Sequence, residues 1–327
     1  MKTTAAITQI DTSTNFVRAC LRAGTYGLAC VGSDGSPRFS NNKGHVFVGF
    51  FISEALSGIL DEVERTILLV RILSEEYEGA WGFSPPAPFV SDAHQVFLVD
   101  SDDTAYVLRT TRRLGVHRSP RCLLPFHREP ERLFVTFNAP GRTSLSAEPA
   151  SQHNLLAHPE VNLNVFLALR GTPFEHLINY GTVRDAQDRL GFWKSYFYPS
   201  PFLATALALD LIGTNPEFSD LVSRAVKFIL GTQNRDGSWG SDSDPYETAL
   251  AITALSTVSP ESEAIRRGVD HLLASAAGDG SWNSNRCVWE FHAEAEDVWR
   301  AHDTDHAFVT AVCAIALRRA VGQLRPL

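Results

Sequence analysis

The sequence predicts an all-α protein in which about six helix pairs close into a double ring, an α/α barrel. Trp193, Trp239 and Trp282 recur in similar glycine-containing turns, at spacings of 46 and 43 residues. Amphipathic and largely apolar stretches with helical spacing alternate around these turns. Few runs alternate apolar and polar residues as a half-buried strand would. Together these observations favour a repeated helix pair over strand-based repeats.

The composition excludes several other classes of protein. The chain has 327 residues and a formal net charge of −8, which argues against a nucleic-acid-binding surface. Glycine and proline are close to average usage, so collagen-like and disordered chains are excluded. No apolar run approaches the roughly 18 residues of a membrane span, and the N-terminus lacks the apolar stretch of a signal peptide. Five scattered cysteines favour reduced thiols and a cytoplasmic protein.

The repeated turns are centred on tryptophan or on a residue in its place. The matching stretches are 79–83, 191–193, 236–240 and 279–282. A degenerate fifth copy is expected at 34–39, where Pro37 replaces the tryptophan, and a sixth near 138–142. We expect the glycine to supply a left-handed turn and the ring to fill the gap between neighbouring helix pairs.

Two kinds of helix are predicted around these turns. The apolar stretches are 45–60, 103–114, 161–169, 201–212, 246–257 and 305–320, and the more amphipathic ones are 60–77, 174–190, 218–232 and 261–276. Because a helix that is apolar all round must be buried, the first kind is expected inside and the second outside. An open α-solenoid is the alternative, but such apolar helices would then line a groove in water.

The sharpest chemical signal is an acidic stretch that contains Asp100, Asp102 and Asp103. One or two acids at this position could cap a helix and interact with its dipole. Three carboxylates beside apolar residues cannot all ionise at low cost, so at least one pKa is expected to rise. A carboxyl that stays protonated near neutral pH can donate a proton, whereas Mg²⁺ binding is the other use of such a cluster.

The stretch Asp-Ser-Asp-Asp-Thr-Ala at 100–105 resembles the acid motif of class II terpene cyclases, and 233–240 resembles the QW repeat of the same superfamily. The resemblance implies that Asp102 protonates an alkene or epoxide, with Asp100 and Asp103 as hydrogen-bonding support. Squalene-cyclase relatives place a supporting histidine where this sequence has Asn164, which can donate a hydrogen bond but cannot carry the proton away. The resemblance therefore implies a protonation-initiated cyclase that acts on a linear isoprenoid or a prenyl diphosphate.

A carbocation needs aromatic faces and a cavity without water. The aromatic candidates for substrate contact are Phe50, Phe51, Tyr106, Phe166, Trp193, Tyr196, Tyr198, Phe202, Tyr246 and Phe308. Candidates for binding an anionic group are Lys43, His45, Arg142 and Lys194. Each aromatic residue could equally be part of the core. The irregular segment 115–159, rich in arginine and proline, is predicted to be either a lid or a solvated loop.

The sequence departs from the family pattern in its domain organisation. Catalytic relatives usually carry a second helical domain, whereas residues 1–327 are expected to form a single barrel domain. A second copy of the chain or a partner subunit could then complete the cavity. Mg²⁺ is expected as a cofactor only if the substrate carries a diphosphate, and no residue is assigned as a metal ligand.

Two alternatives to a cyclase remain open. The first is a zinc-dependent enzyme similar to the β-subunit of protein prenyltransferases, which would use His302, Asp303, Asp305 and His306. Tyr246 stands where that family needs a cysteine. The second is a non-catalytic barrel that binds an isoprenoid or a partner protein.

Overall fold

The computed structural model describes residues 2–41, 46–77, 79–82, 99–137, 156–292 and 298–324. The helices and strands are α1 Lys2–Ala23, β1 Leu28–Val31, β2 Pro37–Asn41, α2 Val46–Ala55, α3 Glu62–Ser74, α4 Ser101–Arg113, β3 His127–Arg128, β4 Leu133–Phe134, α5 Pro159–Leu169, α6 Tyr180–Asp185, α7 Pro201–Ile212, α8 Ser219–Gly231, α9 Pro245–Val258, α10 Glu263–Ser275, β5 Trp289–His292, β6 Val298–His302 and α11 Ala307–Ala320. A 3₁₀ helix at Pro120–Phe126 lies between α4 and β3. Within these ranges no helix is both long and apolar enough to cross a membrane.

An inner ring is formed by α2, α4, α5, α7, α9 and α11. Each of these helices packs against the next, and α11 packs against α2, so the ring is closed. They are buried along almost their whole length. This is expected for α2, α7 and α9, which have no polar face, whereas α4 also buries Asp102, Asp103 and Arg109. The closed ring confirms the predicted α/α barrel.

An outer layer surrounds this ring. It consists of α1, α3, the 3₁₀ helix, α6, α8 and α10, each of which packs against at least one inner helix. The outer helix α8 shows the amphipathic pattern clearly, because Leu221, Ala225 and Ile229 are buried on one face of it. The sequence pattern did not single out α1, which packs against α11 and completes the outer layer.

Each tryptophan of the repeated turns joins an outer helix to an inner one. The indole Nε1 of Trp239 donates to the carbonyl of Ile229 at 2.7 Å, and its backbone N–H donates to the Thr248 hydroxyl at 3.0 Å. The same two bonds run from Trp81 to Ile72 and Thr104, from Trp193 to Val183 and Thr205, and from Trp282 to Leu272 and Thr310. The prediction that these rings fill the gaps between helices is confirmed.

The glycines of these turns are required for two separate reasons. Gly237 has φ 92°, and a Cβ at this position would lie 2.5 Å from the carbonyl oxygen of Arg267 on α10. Gly191 has φ 106°, and its Cβ would lie 2.4 Å from the carbonyl oxygen of Arg224 on α8. A side chain would thus be strained by the backbone conformation and would also collide with the next outer helix.

A four-stranded antiparallel sheet, in the order β2-β1-β6-β5, was not predicted. Ala29 of β1 pairs with His302 of β6.

The turn at Asp34 keeps the hydrogen bonds of the repeats, because Ser36 N–H donates to the Asp34 side chain as Ser238 N–H does to Asp236. However, Pro37 then begins β2, so the fifth copy continues as a strand. The expected sixth copy, near 138–142, lies outside the described residues.

Part of the segment 115–159 belongs to the outer layer. The 3₁₀ helix packs against α4 and α5, and Leu123, Phe126 and Phe134 are buried. These three side chains cover the outer face of the ring, which corrects the expectation of a lid or a solvated loop at their positions, whereas residues 129–132 are exposed to solvent. Residues 138–155 of the segment lie outside the described ranges.

Candidate active site

The three acids of the motif lie at the start of α4, and all three are buried. Asp100 is the N-cap, whose Oδ1 accepts a hydrogen bond from the backbone N–H of Asp103 at 2.7 Å. The backbone N–H of Asp100 donates to the carbonyl of Trp81 at 2.8 Å, so the preceding repeat turn positions the start of the helix. Capping therefore explains Asp100 but not the burial of Asp102 and Asp103.

Asp102 is held by two neutral hydrogen-bond donors. The Tyr198 hydroxyl donates to Oδ2 at 2.6 Å, and Asn164 Nδ2 donates to Oδ1 at 2.8 Å. Burial raises the pKa of Asp102 to about 6, while these two bonds and the charge of Arg109 act in the opposite direction. Asp102 is therefore protonated more often near neutral pH than an exposed aspartate, and its carboxylate keeps two donors after the proton has left.

Asp103 forms a separate pair with Asp100. Burial raises the pKa of Asp103 well above its usual range, and the nearby charges of Asp100 and Asp102 raise it further. A hydrogen bond between the carboxyl groups of Asp103 and Asp100 adds to this rise. The expectation that clustered acids raise a pKa is met. Asp100 and Asp103 are also expected to support Asp102 by hydrogen bonds, but the bonds to the Asp102 carboxyl described above come from Tyr198 and Asn164.

Two residues on α4 and α5 hold these donors in place. Arg109 donates through a guanidinium nitrogen to Asn164 Oδ1 at 2.6 Å. Glu160 Oε1 accepts from the backbone N–H groups of Tyr196 and Phe197, at 2.7 and 2.9 Å, and so fixes the segment that carries Tyr198. Burial raises the pKa of Glu160 to about 7, and the nearby charge of Asp102 also acts to raise it.

An aromatic cluster fills the centre of the ring beside Asp102. We use this name for Phe47, Phe50, Phe51, Tyr106, Tyr198, Tyr246 and Phe308. The Phe47 ring centroid lies 5.2 Å from that of Tyr106, 5.8 Å from Tyr198 and 5.3 Å from Phe308. The rings of Phe51 and Tyr246 lie 4.9 and 5.5 Å from Phe308. The proton donor candidate is thus bordered by aromatic faces supplied by α2, α4, α9 and α11.

A cavity of about 40 Å³ lies deeper in the ring, below the aromatic cluster. Its apolar lining comes from Phe50, Phe51, Leu203, Ala206, Leu207, Leu250, Val312 and Ile315, and its polar lining from Glu54, Arg109, Asp210, Thr253 and Arg319. This cavity has room for a few water molecules and is too small for a prenyl chain.

Several predicted contact residues lie in the aromatic cluster, and others do not. The former are Phe50, Phe51, Tyr106, Tyr198, Tyr246 and Phe308. Tyr196 stacks on His158 with ring centroids 4.3 Å apart, next to Glu160 rather than within the cluster. Lys43, His45 and Arg142 lie outside the described residues.

Four predicted contact residues face away from the cluster, which corrects their assignment. Phe166 packs against Phe134, and Phe202 packs against Phe228 of α8, so both contact outer elements. Trp193 is held between α6 and α7 by the two bonds common to the repeats. Lys194 is exposed and forms an ion pair with Asp188 at 3.2 Å.

The described side chains do not fit a metal site. Among them, no group of three or more His, Cys, Asp or Glu residues is arranged to hold a metal ion. Asp303, a ligand in the zinc alternative, accepts a hydrogen bond from the N–H of Val309 at 2.8 Å. Asp102 and Asp103 have different partners, so the acid motif does not converge on a cation either.

Sequence reasoning missed three residues of this site. Phe47 lies one helical turn before Phe50 and Phe51, and Glu160 lies one turn before Asn164. Arg109 lies two turns after Asp102, on the same face of α4. Each of the three lies one or two helical turns from a residue that the sequence had already selected, so helical spacing could have identified it.

Two curated relatives match part of the chain, whereas no family model matches it. Labda-7,13-dienyl diphosphate synthase of Streptomyces clavuligerus is 30% identical over 191 residues, which cover 56% of this chain and 32% of the relative. Ent-copalyl diphosphate synthase of Streptomyces sp. (strain KO-3988) is 30% identical over 145 residues, which cover 43% and 26%. The matched region thus spans a third or less of each relative.

Solved structures share the fold along most of the chain. A type II terpene cyclase from Scytonema, bound to geranylgeranyl dihydroxybenzoate, has a TM-score of 0.77, 16% identity and 99% coverage of both chains. Ent-copalyl diphosphate synthase from Streptomyces platensis has a TM-score of 0.62 and 24% identity, covering 85% of this chain and 50% of that one. The protein geranylgeranyltransferase-I of Candida albicans has a TM-score of 0.52 and 13% identity, covering 94% and 90%. The chain therefore has the helical barrel of terpene cyclases and prenyltransferases, and the resemblance to class II terpene cyclases is confirmed.

Proposed function

We propose that this chain is a class II terpene cyclase, in which Asp102 protonates an alkene of a linear isoprenoid or a prenyl diphosphate. The observation that carries the proposal is the position of the Asp102 carboxyl. It is buried, it is bonded to Tyr198 and Asn164, and it lies beside the aromatic cluster. The relatives named as diphosphate synthases support the same reaction class.

The proposed reaction begins with transfer of the Asp102 proton to one alkene carbon. The other alkene carbon becomes cationic, and further double bonds attack it to close the rings. The carboxylate left on Asp102 is stabilised by its two donors, while the cation faces aromatic rings that attract positive charge. Loss of a proton gives a cyclic isomer of the substrate, whereas capture of water gives a cyclic alcohol.

A structural neighbour supports a lone barrel as the architecture for this chemistry. The Scytonema cyclase matches this chain over 99% of both lengths and was crystallised with its substrate. We therefore propose that residues 1–327 act as one domain, with a geranylgeranyl chain as the first substrate to test. We also propose a cytoplasmic location. A second copy of the chain or a partner subunit would complete the cavity, and Mg²⁺ would be needed only with diphosphate substrates.

The experiment is incubation with farnesyl diphosphate, geranylgeranyl diphosphate and squalene, followed by mass spectrometry. We expect cyclic products from the wild type and none from Asp102→Asn, whose melting temperature should stay close to that of the wild type. Asp185→Asn, an exposed position on α6, is the matched control and should keep full activity. Because Asp102 must be protonated and its pKa is about 6, activity should decrease as pH rises through that value. Turnover by Asp102→Asn would contradict the proposal.

A further inference from the structure

The feature that extends this proposal is a buried arginine behind the acid. Arg109 is 5% exposed and lies on α4, two helical turns beyond Asp102. Its guanidinium group donates to Asn164 Oδ1 at 2.6 Å, and the opposite end of the same amide donates to Asp102 Oδ1 at 2.8 Å. We infer that Arg109 is a positioning residue, which orients the Asn164 amide toward Asp102 and makes Asp102 a stronger acid. This inference rests on the proposed function.

The orientation of the amide follows from its hydrogen-bonding groups. A guanidinium group can only donate hydrogen bonds, so the atom of Asn164 that faces Arg109 must be the oxygen. The amide NH₂ group then faces the side-chain oxygen and the backbone carbonyl of Asp102, at 2.8 and 3.0 Å. A flipped amide would oppose donor to donor at Arg109 and acceptor to acceptor at Asp102. Arg109 thus excludes the orientation in which Asn164 could not stabilise the Asp102 carboxylate.

The charge of Arg109 interacts with Glu54 and Asp210, which line the same cavity, and with nearby aromatic rings. The guanidinium carbon lies 4.5 Å from the Phe50 ring centroid and 5.9 Å from that of Tyr106. Burial of a charged group is costly unless hydrogen bonds or other charges compensate for it. At Arg109 the compensation includes the Asn164 oxygen and the aromatic faces. The charge is therefore placed where it favours ionisation of Asp102, which is the state that follows proton transfer.

Other titratable groups near Asp102 do not replace this effect. Asp103 and Tyr106 on the same helix, Glu160 on α5, and Tyr198 all interact with Asp102. Burial raises the pKa of each of these four groups, so they stay largely neutral at slightly acidic pH. Arg109 is the cation that acts on Asp102 among the described residues.

The test compares the pH dependence of kcat in three variants. Arg109→Met keeps an apolar stem against Phe50 and removes both the charge and the donor. We expect kcat to fall on the order of tenfold, and the decrease of activity with pH to shift upward by about one pH unit, because Asp102 becomes a weaker acid. Arg109→Lys should restore most of the activity, because an ammonium group also only donates. Arg112→Met is the control, since Arg112 donates to the carbonyls of Ala168 and Arg170 and not to Asn164.

A double-mutant cycle separates positioning from a general structural effect. If Arg109 acts through Asn164, then adding Arg109→Met to Asn164→Ala should change kcat by less than threefold. Additive losses, or an unshifted pH profile in Arg109→Met, would overturn the inference. Should Arg109→Met fail to fold, Arg109→Gln takes its place: its amide can donate or accept, so it no longer excludes the flipped Asn164 amide, and the profile must still shift upward. An active wild type with an inactive Asp102→Asn variant would leave the proposed function intact in any of these cases.

Discussion

Tyr198 and Asn164 resolve a conflict that any carboxylic acid catalyst faces. The acid must be protonated in order to react, and it must also release its proton to a weakly basic alkene. Burial meets the first requirement by raising the pKa of Asp102 to about 6. The two donors meet the second, because they stabilise the carboxylate after proton transfer. The site thus combines a raised pKa, which keeps more of the acid protonated than in solvent, with a stabilised conjugate base.

Tyr198→Phe should therefore weaken the acid and leave the fold intact. Removal of the hydroxyl takes away one donor to Asp102 Oδ2, so the pKa of Asp102 should rise and kcat should fall on the order of tenfold. The pH profile of kcat should shift upward, in the same direction as for Arg109→Met. Tyr180→Phe on α6, whose ring contacts Phe218, is the control and should change neither quantity. An unchanged pH profile in Tyr198→Phe would show that this bond does not tune the acid.

The sequence supported the selection of Asp102 and Asn164 but not the identification of their partners. Tyr198 is one of the aromatic candidates for contact with a carbocation, yet the motif contains no sign that its hydroxyl bonds to Asp102. Arg109 is followed by Thr110, Thr111, Arg112 and Arg113, and such a polar run is read as a surface position. Its role depends on the packing of α4 against α5, which spacing within one helix does not reveal.

The repeat turn is the element that sets the geometry between the two layers. Its tryptophan bonds to an outer helix through the indole and to an inner helix through the backbone. At Gly191 and Gly237 the absence of a side chain allows the next outer helix to lie close to the turn. Trp81 belongs to the turn that precedes α4, and its carbonyl oxygen accepts a hydrogen bond from the backbone N–H of Asp100. Packing of the layers and placement of the acid therefore depend on the same motif.

Gly237→Ala should destabilise the protein without touching the site. The new methyl group would lie 2.5 Å from the Arg267 carbonyl, at a φ of 92°. We expect the free energy of unfolding to fall by roughly 1–3 kcal/mol, which urea denaturation would measure. Gly278→Ala is the matched control, because its Cβ would meet no atom within 4 Å. Equal stability of the two variants would contradict the role assigned to the close approach.

Helical periodicity predicted the inner helices more accurately than the outer layer. The bounds of α7 agree with the predicted 201–212, because Ser200 caps the helix and Pro201 begins it. The predicted 174–190 is instead a 3₁₀ helix at Glu175–Leu177 followed by the short α6, whose N-cap is Asn179. The sheet depends on pairing between β1 and β6, which are far apart in the sequence, so no local pattern signals it.

The six inner helices run parallel, which gives the whole molecule two different ends. Their N-terminal ends meet around Asp102 and Glu160, where partial positive charge favours carboxylates. Their C-terminal ends meet at a floor network, by which we mean Glu54, Arg113, Asp210, Thr257 and Arg319. Arg319 bonds to both oxygens of Asp210, at 2.9 and 3.1 Å, and Arg113 pairs with Glu54. The floor network thus links α2, α4, α7, α9 and α11.

Arg319→Met should destabilise the barrel strongly. It would leave Asp210 and Glu54 buried with one fewer cation, which costs roughly 3–5 kcal/mol when a buried pair is broken. The Arg319 charge lowers the pKa of Asp210 in the wild type, so this stabilisation is present at neutral pH and is lost as pH falls. The loss in the variant, measured by urea denaturation, should accordingly be smaller near pH 4 than at pH 7. Arg266→Met removes an exposed pair with Glu263 and is the control, in which little change of stability is expected.

The floor network also limits how the substrate range of this barrel can be altered. Because its contacts join one inner helix to another, the ring cannot widen at that end without breaking buried ion pairs. Room for a longer or bulkier substrate must therefore come from smaller side chains. Phe50 and Phe51 lie between the acid and the deep cavity, so their size is the dimension that engineering should vary first.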